Sequence, residues 1–401
     1  MLYVPLKFKA CSVLLLSVLF RSISFVLFKL SILQLTVVDI KAVGHNIGDF
    51  TNFILAKKRK TLLKMFFYSD NLVSNPYIPE IWRNLLGSGS KMVKVPDFIG
   101  KWLSILCKFT HYPGLSEFSG CTGMTTQSSM QNSINRLSRQ VIENFKSEES
   151  DAQILNRISL MKFSGKKICV ILNRDQSFKG IDVNRDTDIK DLIESIKWLI
   201  QDNFIVVRIT KVASESIRDD VESDYYIEVA NELYSDLLFF KIINMSDLAL
   251  CSWYGPMEVL RLLETPTFFY NCPMTIREFP KRTQVFLLPR NLLDQFSSVI
   301  SVKDIVHYVV KGIDLRSEVD LEKMKFSYEK VDSFKILESL KSFLSNDLLS
   351  QHHDCEKCKN IKFELSYYDK LTKKGNGVYS YNILLKKEEF KLANFCITYP
   401  N

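Results

Sequence analysis

Apolar and polar residues alternate along the chain in blocks that predict strands followed by helices. Continuous apolar runs, which are typical of buried strands, occupy residues 35–40, 62–68, 167–172, 204–209, 248–251 and 266–270. Apolar residues at helical spacing occupy residues 50–58, 76–86, 189–200, 235–245 and 256–264. Strands that are apolar on both faces and alternate with helices indicate parallel sheets covered by helices. The pattern therefore predicts an α/β protein with doubly wound sheets.

Individual residues predict where two helices begin, and the composition of one stretch predicts a loop. Asn75 before Pro76 predicts a helix with an asparagine N-cap and proline at its first position. Asp188 predicts the N-cap of the helix over 189–200. The stretch 114–133 is rich in Ser, Thr, Gly and Gln, which predicts a loop.

The length of 401 residues favours two domains, because one core rarely grows that large. We divide the chain into five segments, each defined by its pattern. They are an apolar, basic segment over 1–34, a Rossmann-like domain over 35–145, a linker helix over 146–166, a second Rossmann-like domain over 167–335, and a helical or irregular tail over 336–401.

The N-terminal segment is apolar and basic, since no acidic residue precedes Asp39. Its stretch from Cys11 to Phe28 approaches the length of a membrane span but contains Arg21, and a central arginine costs about 2.5–3.5 kcal/mol on insertion scales. Three interpretations stay open: the segment spans a membrane, lies in the interface, or packs against the protein. We favour a peripheral or monotopic anchor, because basic side chains on an apolar helix reach anionic headgroups.

Charge and cysteine usage exclude some classes of function. The net charge of +8 is modest for this length, and no basic stripe with interleaved aromatic residues indicates nucleic-acid binding. The nine cysteines lie mostly in apolar stretches, which favours a reducing, cytoplasmic location. Cys355 and Cys358 have the spacing of a zinc knuckle, but a second pair at matching spacing is missing, so we predict no metal site.

Candidate binding residues follow the predicted strands of the second half. Ligands of doubly wound sheets bind beyond the carboxyl ends of the strands, so we expect these residues to meet at one edge. The candidates for binding substrate are Arg174, Asp175, Arg208, Ser252, Gly255 and Glu258. Two arginines and a glycine at a helix start suit a diphosphate, and a glutamate suits the hydroxyl groups of a sugar.

Three of these residues also have a purely structural interpretation. Arg174 would then pair with Asp175 or Asp186, and Arg208 would bridge strand ends. Glu258 would only favour the first turn of its helix, where acidic residues are common.

His45 and Asp49 lie in a glycine-containing loop after the first predicted strand. Transfer of a group to a hydroxyl needs a base to accept the hydroxyl proton, and either residue could serve as this catalytic base. Their structural interpretation is a histidine that bonds to the backbone and an aspartate that caps the next helix.

An ordered series of motifs resembles a family of bacterial glycosyltransferases from surface-polysaccharide and lipopolysaccharide gene clusters. The resemblance covers residues 35–310, and it rests on Val43–His45, Ser74–Pro76, Ile168–Asp175, Asn184–Ile189, Val206–Arg208 and Ser235–Leu237. Gly255–Glu258 followed by Thr265–Pro266 is also similar to the donor loop of heptosyltransferases.

This resemblance implies a GT-B-like fold, in which two Rossmann-type domains face a cleft. The first domain would bind a lipid-linked or polysaccharide acceptor, and the second would bind a nucleotide-sugar donor. It implies glycosyl transfer. We expect no metal or other cofactor, because Arg174, Arg208 and the helix that starts at Pro256 would meet the phosphate charge. The cysteine usage and the N-terminal segment place this activity at the cytoplasmic face of a membrane.

Two departures from the family keep other functions open. Leu172 stands where the family commonly has a histidine, and Trp253-Tyr254 make the donor loop bulkier than the family's loop. One alternative is an inactive homologue that acts as a membrane-associated binding protein. Another is a polyol-phosphate phosphotransferase on the same scaffold, because arginines that bind phosphate serve that reaction too.

Overall fold

In the part of the chain that the structure describes, the main elements are two parallel sheets, of four and seven strands. The computed structural model describes residues 22, 26, 29, 30, 32–38, 63–73, 75–86, 90–108, 115–118, 138–174, 186–252, 255–272, 285–301, 304, 305, 308, 313, 315, 318–345 and 395–397. The chain divides into unit 1, residues 1–126 with 136–141, and unit 2, residues 127–135 with 142–401. Each unit contains one of the parallel sheets, so the predicted α/β fold class is confirmed.

Unit 1 carries its helices between parallel strands. Its elements are β1 (Leu33–Val38), β2 (Leu63–Tyr68), α1 (Ile78–Leu85), β3 (Ser90–Lys94), α2 (Asp97–Lys108) and β4 (Leu115–Phe118). The strand order is β3-β2-β1-β4. Leu35 and Val37 of β1 pack with Leu72 and Leu103 in a small core, so this sheet buries its apolar face against α2.

Two local predictions in unit 1 are wrong. Residues 115–118 form a strand beside β1, although they lie in the stretch we predicted to be a loop. The first helix begins at Ile78 with Tyr77 as its N-cap, and Asn75 lies outside it. The Asn75 Oδ1 accepts a hydrogen bond from the Tyr77 backbone N–H at 2.9 Å, so this side chain supports the turn that precedes the helix.

Unit 2 is the larger unit. Its elements up to residue 262 are α3 (Glu149–Phe163), β5 (Lys167–Leu172), a 3₁₀ helix (Ile189–Leu192), α4 (Ile193–Gln201), β6 (Phe204–Thr210), α5 (Arg218–Val221), β7 (Tyr226–Ala230), a second 3₁₀ helix (Asn231–Leu233), α6 (Asp236–Met245), β8 (Leu248–Cys251) and α7 (Met257–Leu262). The remainder comprises β9 (Thr267–Cys272), β10 (Val285–Pro289), β11 (Asn291–Leu293), α8 (Glu318–Met324), β12 (Ser327–Glu329), α9 (Ser333–Leu344) and β13 (Phe395–Ile397).

Continuous apolar strands form the centre of unit 2. The predicted strand over 167–172 matches β5, in which the five residues after Lys167 are buried. The predicted cap at Asp188 is confirmed, because its Oδ1 accepts from the Lys190 N–H at 2.9 Å. The first turn of that helix is 3₁₀ rather than α, and α4 continues from it. Apolar residues of α4, α9 and the central strands pack into one large core.

The order of the large sheet is β13-β10-β9-β8-β5-β6-β7, and all its pairings are parallel. The chain runs from β5 outward to β6 and β7, and then returns to place β8, β9 and β10 on the other side of β5. The adjoining ends of β5 and β8 are therefore the point at which the strand order reverses. In doubly wound sheets, this is where the ligand crevice lies.

Several predicted segments lie partly or wholly outside the described residues. Most of 1–34 does, and among the residues that the structure describes no helix is long and apolar enough to cross a membrane. The helix α3 falls within the predicted linker over 146–166. The helix α9 extends across the predicted boundary between residues 335 and 336 and packs with the core of unit 2.

Candidate functional site

At the switch point, hydrogen bonds join the end of β5 and the residues that follow it to the residue that follows β8, which continues the pairing of the two strands. The Ser252 N–H donates to the Leu172 carbonyl at 3.0 Å. The Arg174 N–H then donates to the Ser252 hydroxyl oxygen at 2.8 Å. Ser252 is fully buried, so its side chain fixes the main chain of Arg174 at the carboxyl end of β5. The structure thus brings together two of the residues predicted to bind substrate.

The side chain of Arg174 is 6% exposed and pairs with Asp186. Its Nε lies 2.9 Å from the Asp186 Oδ1. The Thr187 N–H and hydroxyl also donate to the Arg174 carbonyl, at 2.7 and 3.1 Å. Of the two carboxylates that the sequence offered as partners, Asp186 makes this ion pair, whereas Asp175 lies outside the described residues.

Arg208 is fully buried in β6 and lies opposite Glu228 of β7 in the sheet. Its Nη1 contacts the Glu228 Oε1 at 2.5 Å and the Glu215 carbonyl at 2.7 Å. Its Nε donates to the Asn173 Oδ1 at 3.1 Å. These contacts tie three adjoining segments of the carboxyl edge together, which is the structural role that the sequence allowed for Arg208. Its predicted contact with substrate stays a prediction.

Gly255 and Glu258 lie at the start of α7, directly after β8. The Glu258 N–H donates to the Gly255 carbonyl at 3.1 Å, which forms the first turn. Glu258 is 3% exposed and is the second residue of this six-residue helix. Its place in the first turn agrees with both of its interpretations, so its contact with a sugar also stays a prediction.

A further arginine, Arg290, belongs to the same edge and was missed from the sequence. It follows β10, is 8% exposed, and its Nη2 donates to the Asp186 carbonyl at 2.5 Å. Burial lowers the pKa of this guanidinium from its ordinary value. Arg174 and Arg290 thus attach to the same residue, one through its carboxylate and the other through its backbone. An apolar run followed by arginine, as at the end of β5, was the signal that could have identified it.

The carboxyl of Asp191, which interacts electrostatically with Arg290, has a pKa that differs from its ordinary value. The Asp191 Oδ1 lies 2.8 Å from the Lys330 Nζ. Burial nevertheless raises the pKa of the Asp191 carboxyl above its ordinary value, against the opposing effect of Lys330. Desolvation therefore outweighs the ion pair at this position.

The remaining predicted site residues cannot be placed at this edge. His45, Asp49 and Asp175 lie outside the described residues, as do Cys355 and Cys358. Within the described part of the chain, no group of three or more His, Cys, Asp or Glu side chains could hold a metal ion. The described edge combines the carboxylates of Asp186, Glu228 and Glu258 with three arginines, the Ser252 hydroxyl and the Asn173 amide. Arginine, hydroxyl and amide donors are suited to oxyanions such as phosphates.

Comparisons with known proteins give structural likenesses only. No protein-family model and no curated protein sequence matches the chain. A glycosyl transferase family 9 protein from Veillonella parvula DSM 2008 is 10% identical, with 78% of this chain and 98% of that chain covered and a TM-score of 0.47. The E. coli ADP-heptose LPS heptosyltransferase II is 12% identical, with 63% and 89% covered and a TM-score of 0.39.

The wall teichoic acid polymerase TagF is 12% identical, with 88% of this chain and 92% of that chain covered and a TM-score of 0.30. All three TM-scores are below 0.5, so these likenesses carry no argument about the reaction. The fold class rests instead on the two parallel sheets of the protein itself.

Proposed function

We propose that the protein is a glycosyltransferase that moves a sugar from a nucleotide-sugar donor to a lipid-linked or polysaccharide acceptor. Its pathway would be the synthesis of a cell-surface polysaccharide or lipopolysaccharide. The observation that carries the proposal is the switch point of the large sheet, where Ser252 fixes Arg174 at the adjoining ends of β5 and β8. This is the edge at which doubly wound sheets bind their ligands.

The donor's diphosphate would lie against this edge. Arg174 supplies positive charge, and a guanidinium can bind two phosphate oxygens at once. Ser252 and the main chain at Gly255 lie on the neighbouring strand end, within the same edge. Glu258 would accept hydrogen bonds from hydroxyl groups of the sugar or ribose. Asp175 and Arg208 complete the set of residues that we propose for the donor site.

The proposed reaction is a direct displacement at the anomeric carbon. The acceptor oxygen forms a bond to this carbon while the bond from the carbon to the diphosphate oxygen breaks. The bonding electron pair leaves with the nucleoside diphosphate, and the acceptor proton passes to His45 or Asp49 as the base. Arginine side chains would stabilise the charge that develops on the diphosphate without a metal ion.

The proposed place of action is the inner face of the cytoplasmic membrane. The apolar and basic residues of 1–34 support this, because such a segment can lie in the interface with its cationic groups near anionic lipids. A lipid-linked acceptor would then be within reach of the protein, whether the segment lies in the interface or spans the membrane.

A second candidate function is an inactive homologue that acts as a membrane-associated binding protein. The observation that favours it is that both predicted donor-site arginines make buried ion pairs, Arg174 with Asp186 and Arg208 with Glu228. A polyol-phosphate phosphotransferase remains the third candidate, and product analysis would identify it by a phosphodiester in the product.

A thermal-shift screen against UDP, GDP, CDP, ADP and dTDP tests the proposal. A diphosphate at about 100 times its dissociation constant should stabilise the protein by about 2.7 kcal/mol. We expect one diphosphate to shift the wild type, and Arg174→Ala to lose this shift. Arg218→Ala, at an exposed position of unit 2, is the matched control and should keep it. If no diphosphate shifts the wild type, the binding-protein candidate becomes the better account.

A further inference from the structure

The side chain of Asn173 has a fixed orientation at the switch point. Asn173 is the first residue after β5 and is 1% exposed. Its Oδ1 accepts from the Arg208 Nε at 3.1 Å. A guanidinium can only donate hydrogen bonds, so the amide atom that faces it must be the oxygen. The Nδ2 group of Asn173 therefore lies on the side away from Arg208.

This Nδ2 group is a buried donor that has no hydrogen-bond partner in the part of the chain that the structure describes. A buried donor without an acceptor costs free energy, because it has given up its hydrogen bonds to water. Folded proteins leave few such groups, and each calls for an explanation. The amide could not remove the cost by rotating, since its nitrogen would then face the Arg208 Nε.

Arg208 is itself anchored on two sides. Its Nη1 contacts both the Glu228 carboxylate of β7 and the Glu215 carbonyl. The guanidinium is fully buried, so it has little freedom to move away from Asn173. The arginine thus connects β6 and β7 to the residue that directly follows β5.

We propose that Asn173 is a donor-binding residue whose Nδ2 group donates a hydrogen bond to a phosphate oxygen of the nucleotide diphosphate. Arg208 is the positioning residue that orients this amide. The inference rests on the proposed function, and it deepens it by naming a neutral donor beside Arg174. It also changes the expected role of Arg208, which acts on the ligand through Asn173 and not through its own charge.

The substitution Asn173→Asp tests this proposal directly. An aspartate has the same shape and can still accept from the Arg208 Nε, but it has no N–H group to donate. It also places a negative charge where the phosphate oxygen would lie. The added negative charge alone weakens the binding of an anion, so Asn173→Ala, which lacks both the donor and the charge, is measured beside Asn173→Asp. If Asn173 serves only to accept from Arg208, Asn173→Ala binds ligand as the wild type does. If Asn173 donates to phosphate, binding weakens while the fold is kept.

The matched control is Asn203→Asp at the opposite end of the same sheet. Asn203 directly precedes β6, and its side chain contacts the Gly165 carbonyl and Lys166. Isothermal titration with the five nucleoside diphosphates and with inorganic pyrophosphate measures binding, and thermal unfolding verifies the fold of each variant. We expect Asn173→Ala to weaken binding at least about tenfold, the effect of losing one hydrogen bond to a charged group. Asn203→Asp should bind as the wild type does.

The outcomes that would overturn the role of Asn173 differ from the outcome that would overturn the proposed function. Wild-type affinity in Asn173→Ala, or an equal loss in Asn173→Asp and Asn203→Asp, overturns the role of Asn173 and leaves the proposed function standing. No binding of any diphosphate to the wild type overturns both proposals. If Asn173→Asp fails to fold, Asn173→Ala alone gives the result, and unchanged binding by that variant overturns the inference.

The role of Arg208 is tested by combining variants. Arg208→Lys keeps a positive charge near Glu228 but lacks the Nε group that holds the amide. We expect it to weaken diphosphate binding in the wild-type background and to have no further effect on binding in Asn173→Asp. Equal effects in the two backgrounds would show that Arg208 acts independently of Asn173.

Discussion

Asp186 and Arg174 form an ion pair across a separation of twelve residues in the chain, with the Arg174 Nε 2.9 Å from the Asp186 Oδ1. Both side chains are largely buried, at 6% and 15% exposed. The same aspartate accepts a hydrogen bond from Arg290 through its carbonyl. One short segment before the first 3₁₀ helix of unit 2 therefore orders two arginines at the ligand edge of the sheet.

We expect Asp186→Asn to destabilise the protein by about 1–3 kcal/mol, because it leaves a buried guanidinium without its charged partner. Urea denaturation measures the loss. The control Glu338→Gln removes an ion pair with Lys341 that is 53% exposed on the glutamate side, and it should change stability by about 0.5 kcal/mol or less. Equal effects of the two substitutions would contradict the importance we give to the buried pair.

Removing the charge of Glu228 should destabilise the protein more than removing the charge of Asp186 does, because Arg208 is more deeply buried than Arg174. Glu228→Gln leaves a fully buried arginine charge in place, so we expect a loss of about 3–5 kcal/mol in urea denaturation. Glu80→Gln breaks an exposed pair with Arg83 and should cost about 1 kcal/mol at most. A loss in Glu228→Gln no larger than in Glu80→Gln would show that water reaches Arg208.

Aromatic packing should dominate the stability of unit 2. Phe268 and Phe286 stack with their ring centroids 4.9 Å apart and their planes 6° from parallel. Phe286→Ala removes a ring that is 1% exposed, and we expect a loss of about 3–5 kcal/mol. Phe334→Ala removes a ring that is 69% exposed in the same unit, and a change of about 0.5 kcal/mol or less is expected in the same urea titration.

The raised pKa of Asp191 predicts a dependence of stability on pH. The folded state holds the Asp191 proton more tightly than the unfolded state does. This contribution to stability is complete below the unfolded pKa of about 3.9, and it is lost as the pH rises through the folded pKa. We expect Asp191→Asn to gain stability relative to the wild type as the pH rises through this window.

Urea denaturation at a series of pH values measures this difference. Asp219→Asn, at an exposed position of α5, controls for the loss of one negative charge. If both variants change with pH in the same way, the effect belongs to net charge and not to the burial of Asp191.

The centre of unit 2 could be predicted from the sequence because its strands are apolar on both faces. Such runs as Lys167–Leu172 admit few other structures. The strand Tyr226–Ala230 was missed because Glu228 interrupts its apolar pattern. That glutamate is largely covered and pairs with Arg208 of the neighbouring strand, and a contact between separate strands leaves no local signal.

For the candidate site, the sequence predicted which residues lie together but not the contacts of their side chains. Arg174 and Ser252 could be placed together because both follow strands that a parallel sheet brings to one edge. The partner of Arg174 stayed open, since two aspartates lay within reach along the chain. The orientation of Asn173 depends on Arg208, a residue of another strand, so it becomes visible only in three dimensions.

The position of β5 in the middle of the large sheet also determines the order in which the strands can pair while the chain is being synthesised. Its neighbours are β6, which follows in the chain, and β8, which is synthesised only after β6 and β7. Parallel pairing excludes short hairpins, so each new pair must close a long loop, which slows folding. We expect β5, β6 and β7 to assemble first on a chain that is still being synthesised, with one side of β5 open. The ligand edge comes into existence only when β8 arrives to cover that side.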